Sequence, residues 1–101
     1  MTVKLAILKS GENVISDVKE AYYEDKLACY IFENPHNIII NGSYKILDDL
    51  NDTNSVSISL YSWPSLSADT AVEISPDWIV TMVEPNVQLK EMYENRVLTN
   101  D

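Results

Sequence analysis

The sequence predicts a mainly β protein: a bent, five-stranded antiparallel small barrel with one C-terminal helix. Three observations carry this expectation. Short stretches alternate apolar and polar residues at the period of a strand, most cleanly over residues 3–8 and 55–61. Turn-forming residues separate these stretches at short intervals, and short connections join antiparallel neighbours. Only towards the end does the period lengthen to that of a helix, through Leu89, Met92, Tyr93 and Val97.

Residues 3–8 place Val3, Leu5 and Ile7 on one face. Ser10-Gly11 then supplies a tight turn, because glycine takes positive φ without a Cβ penalty. Residues 14–21 follow, with Val14 and Val18 inward and Asp17 and Lys19 outward. Tyr22-Tyr23-Glu24-Asp25-Lys26 is a polar break. Residues 27–32 are apolar on both faces, the pattern of a strand covered on two sides. Asn34-Pro35-His36-Asn37 interrupts them, and Ile38-Ile39-Ile40 continues the same strand past a bulge or bend. Residues 41–54 read as an irregular insertion or loop, with Asp48, Asp49 and Asp52 among asparagines. The strand over 55–61 ends at Trp63-Pro64-Ser65, and Ile74-Ser75-Pro76-Asp77-Trp78 connects into a last strand over 78–83. A helix is expected over 85–97, with Pro85 at its first position or Asn86 as its cap.

Composition bounds the function. At 101 residues the chain is read as one domain, 1–101, and 46% apolar residues with two tryptophans exclude global disorder. No apolar run approaches the roughly 20 residues that span a bilayer. The first residues enter strand pattern without an apolar targeting segment, so a cytoplasmic protein is expected. Cys29 is the sole cysteine, which rules out an internal disulfide and a cysteine metal cage. Sixteen acidic against seven basic residues give a net charge of −9. That balance favours solubility and opposes dense phosphate contact, so any nucleic-acid site must be local and aromatic.

Leu8-Lys9-Ser10-Gly11, set between two strands, resembles the first motif of the Sm-like family. Ile74-Ser75-Pro76-Asp77-Trp78-Ile79-Val80 resembles the second, with Pro76 in place of a glycine, and Ser16 stands where the family bends its second strand at another glycine. The Trp63-Pro64 and Val83-Glu84-Pro85 segments are similar to small Sm-like proteins encoded by marine phages of the cyanophage type. The resemblance implies a ring-shaped homo-oligomer that binds single-stranded RNA without catalysis, in the host cytoplasm if phage-encoded. It also implies that the loop between strands two and three meets the turn before the final strand at the inner rim. Tyr22, Tyr23, Lys26 and Trp78 are then the expected nucleic-acid-binding residues. The family's uracil-reading segment is replaced here by residues 22–26, so base stacking is expected to outweigh base readout.

Each residue also has a plainer reading. Tyr22 and Tyr23 can pack a strand end, Lys26 can be merely solvated, and Trp78 can be core or interface. Trp63 beside Pro64 suits a plug over the barrel mouth or a subunit seam. Cys29 reads as a buried small hydrophobe and His36 as structural or inert. The aspartates at 48, 49 and 52 lack the spacing of a calcium loop. No phosphate-cradling glycine loop and no hydrolase elbow is present. A non-catalytic protein without cofactor or metal is therefore expected. The alternative to RNA binding is a structural or protein-interaction module on the same barrel.

Overall fold

A computed structural model describes residues 1–41 and 57–99. The expected insertion at 41–54 thus falls, beyond Asn41, outside the described residues. The elements are β1 (Val3–Leu8), β2 (Asn13–Tyr23), β3 (Lys26–Asn41), β4 (Ser57–Ser62), β5 (Ala71–Ile74), a 3₁₀ turn (Pro76–Trp78), β6 (Ile79–Val83) and α1 (Val87–Thr99). All the strands pair antiparallel in the order β4-β3-β2-β1-β6, with β5 set beside β3.

Two expectations need correcting. Among the described residues there are six strands rather than five, and their sheet does not close into a barrel. The reason lies in β3, whose 16 residues outrun any single partner on its outer edge. Its second half, His36 to Asn41, pairs with β4, while Tyr30 to Glu33 pair with β5. The stretch between Trp63 and Trp78 therefore holds a short strand of its own. At the two ends of the pairing order, β4 and β6 are not bonded to each other.

Local chemistry explains the turns. Gly11 sits at φ +90°, and its N–H donates to the Leu8 carbonyl at 2.9 Å. Glu24 and Asp25 are both left-handed, at φ 50° and 64°, as a two-residue hairpin turn between Tyr23 and Lys26 requires. β3 does run on through Asn34-Pro35-His36-Asn37, and Asn34 takes φ 52° there, where the β2–β3 register slips between Ile15 and Asp17.

The alternation of Val14 and Ile15 splits the core between the two faces of the sheet. One cluster, on the face away from α1, joins Ala6, Leu8, Val14, Val18, Phe32 and Ile74. The other joins Val3, Ile15, Ile38 and Leu60 to Leu89 and Tyr93 of α1. The helix begins at Val87 because the Asn86 side chain accepts the Leu89 N–H at 2.8 Å and caps it. Its apolar stripe at 89, 93 and 97 lies on the second cluster.

Two further expectations are revised at the far end of the β2–β3 hairpin. Within 27–32 only Phe32 is buried, and Cys29 is half-buried. β1 pairs with β2 only as far as Val3 opposite Asp17, so the hairpin projects beyond the strand that would have covered it.

Candidate functional site

The projecting hairpin carries three of the four residues singled out for nucleic-acid binding. Tyr22 and Tyr23 are 61% and 72% exposed, so neither is a packed strand end. Consecutive strand residues point to opposite faces, which separates the two rings. Tyr22 shares its face with Glu20 and donates its hydroxyl to that carboxylate. The hydrogen bond and the negative charge of Glu20 hold the Tyr22 phenol above its ordinary value. Tyr23 lies directly opposite Lys26 across the ladder, so these two do come together. Glu24 and Asp25 form the turn beside them, leaving the tip rich in carboxylates.

Trp78 belongs to the 3₁₀ turn before β6, which Ser75 caps by accepting the Asp77 N–H. Its backbone carbonyl accepts the Lys9 N–H at 2.9 Å, and its side chain is 48% exposed. It borders a notch of about 330 Å³ together with Trp63 and with Val72 and Ile74 of β5. Among the described residues no ring contact links Trp78 to either tyrosine. Trp63 packs against the cluster around Phe32 and Ile74, and its indole N–H donates to Glu12 at 3.1 Å.

The remaining cations are partly engaged. Lys4 pairs with Glu84, which keeps that carboxyl below its ordinary range. Lys19 pairs with Glu33 at 2.9 Å, which raises the lysine. Among the described residues, no group of three or more His, Cys, Asp or Glu side chains is placed to hold a metal ion. No described helix is long and apolar enough to cross a membrane.

A family model matches residues 1–98. The chain belongs to DUF6561, a family of unknown function. A search of curated proteins finds no match. For this DUF6561 chain the chemistry must therefore be read from its own surfaces.

A second exposed surface is the free sheet edge at β6. β6 bonds β1 on one side, and its other side has no strand partner among the described residues. Val80 and Val83 on it are 63% and 43% exposed. The signal was present as apolar residues on both faces of 78–83.

The feature missed was the meeting of His36 with Tyr93. Their rings stand edge to face at 5.6 Å, and both residues are buried. Separated by most of the chain, they gave no local signal.

Proposed function

We propose that this protein is a non-catalytic assembly module, in which copies join head to tail through their free sheet edges into a ring-shaped homo-oligomer. The observation that carries this reading is the open edge of β6 with Val80 and Val83 exposed along it. An unpaired, apolar edge invites strand addition, and proteins that keep one usually cover it. β5, which pairs only with β3 among the described residues, offers a second edge on the same chain. Pairing two different edges is a heterologous contact, which closes into a ring when the rotation permits. The Sm-like resemblance of Leu8–Gly11 and Ile74–Val80 supports the same arrangement. The carboxylates at the hairpin tip and the net charge of −9 weigh against a phosphate backbone as the ligand.

Single-stranded RNA binding is the second reading, favoured by one observation: exposed Tyr23 stands opposite Lys26 at the tip. On this reading stacking dominates, at about 1–3 kcal/mol per base, with a shallow salt dependence.

Sedimentation velocity at micromolar concentration tests the assembly. The wild-type chain should sediment as a discrete oligomer, and the double variant V80E/V83E as a folded monomer. A wild-type monomer would sink the proposal. Fluorescence anisotropy with uridine- and adenosine-rich oligonucleotides, on the same samples, tests the second reading. Binding that weakens more in Y22A/Y23A than in K26A would support it.

A further inference from the structure

We propose that His36 is a proton-operated latch for α1: its protonation releases the helix from the sheet and uncovers the apolar face beneath. The imidazole is 5% exposed and lies on β3 just past the Asn34 bulge. Its Nδ1 is 2.8 Å from the Asn34 carbonyl. A carbonyl oxygen only accepts, so Nδ1 carries the hydrogen and Nε2 is the bare nitrogen of the neutral ring. Nε2 is buried and, among the described residues, has no hydrogen-bond partner. A proton placed there becomes a buried donor with no acceptor, on a charged ring withdrawn from water.

What surrounds the ring decides what gives way. β2 presents Ile15 opposite His36, and β4 presents Ser62, neither of which carries charge. Asp69 shares with His36 the wall of a cavity of about 150 Å³, as does Val97 of α1. α1 supplies Tyr93, edge-on to the imidazole, and the positive charge of Arg96. Burial first and Arg96 second hold the imidazole below its ordinary 6.5, while the Asn34 carbonyl acts the other way. The strands on either side are tied by ladder hydrogen bonds, whereas α1 is held by side-chain packing and the Tyr93 hydroxyl. The helix is thus the element that opens most readily, and it carries the charge that repels imidazolium. Its departure would expose Val3, Ile15, Ile38 and Leu60.

The sign follows from linkage. The open form takes up its proton near the ordinary value and the closed form only at lower pH. The open fraction therefore grows by up to about tenfold for each pH unit below 6.5, until the closed form also titrates. Amide hydrogen exchange of the full chain at pH 7.5 and 5.5, corrected for intrinsic rates, reads this directly. Protection of α1 amides should fall, by up to about tenfold, while β1–β2 amides keep theirs. His36→Phe retains an aromatic ring and should abolish the pH dependence; His36→Gln supplies the same comparison should the first variant fail to fold. Unchanged α1 protection would overturn the latch. So would an equal loss in α1 and β1–β2, which is global unfolding, or the same loss in the His36 variant.

Discussion

Replacing Tyr93 with alanine is expected to produce the largest loss of stability of any single change on α1. The ring is completely buried in the cluster that joins helix to sheet, and its removal leaves a cavity worth about 3–5 kcal/mol. The hydroxyl adds a second effect. The register slip between Ile15 and Asp17 leaves backbone groups without ladder partners. The Tyr93 oxygen accepts the Asp17 N–H at 3.0 Å and donates towards the carbonyls of Glu33 and Asn34, each at 3.0 Å. Ser16 reinforces the spot by donating to Glu33 at 2.9 Å. Tyr93→Phe isolates the hydroxyl and should cost about 1–3 kcal/mol, because it leaves a buried donor unpaired. Thermal unfolding should rank the variants wild type, Y93F, Y93A, with a drop of about 12 °C or more for the last. Burial also holds the Tyr93 phenol above its ordinary value, so the hydroxyl stays protonated and able to donate. Equal melting temperatures for Y93F and wild type would show that the bulge does not depend on the helix.

Phe32→Ala should be nearly as damaging, by a route that leaves α1 in place. Phe32 is fully buried on the opposite face and stands between Val18 of β2 and Val72 of β5. It is the fully buried side chain that β3 sets opposite the short β5, and its truncation should cost about 3–5 kcal/mol. In urea the midpoint should fall by roughly 1–3 M with little change in slope. Because β5 leads through the 3₁₀ turn into β6, loosening it should also weaken assembly. A variant that loses stability yet assembles at wild-type strength would uncouple β5 from the edge.

Much of this architecture was legible in the sequence, and the exceptions have physical causes. Ser10-Gly11 and the alternation of Val3, Leu5 and Ile7 located β1 and its turn, because a period of two and a residue suited to positive φ are local properties. The continuation of β3 past Asn34 was legible for the same reason. β5 was not, since four residues with only Val72 and Ile74 as large apolar side chains look like any loop. Closure was misjudged because residues 27–32 were read as a strand covered on two sides. Ile31 instead remains accessible at a projecting hairpin. Tyr22, Tyr23 and Lys26 were placed correctly at one turn, but strand alternation, not spacing, decides which of them share a face. The contact between His36 and Tyr93 is tertiary and leaves no trace in either neighbourhood.

The central claim is that the outer edge of β6 is a pairing surface for another copy of the chain. Amide exchange of the outward-facing N–H groups of Ile79–Val83, compared in concentrated and highly dilute solution, tests it most directly. The account predicts protection in concentrated solution that disappears on dilution, while the β1–β2 ladder stays protected throughout. Free exchange of those β6 amides at every concentration would contradict it.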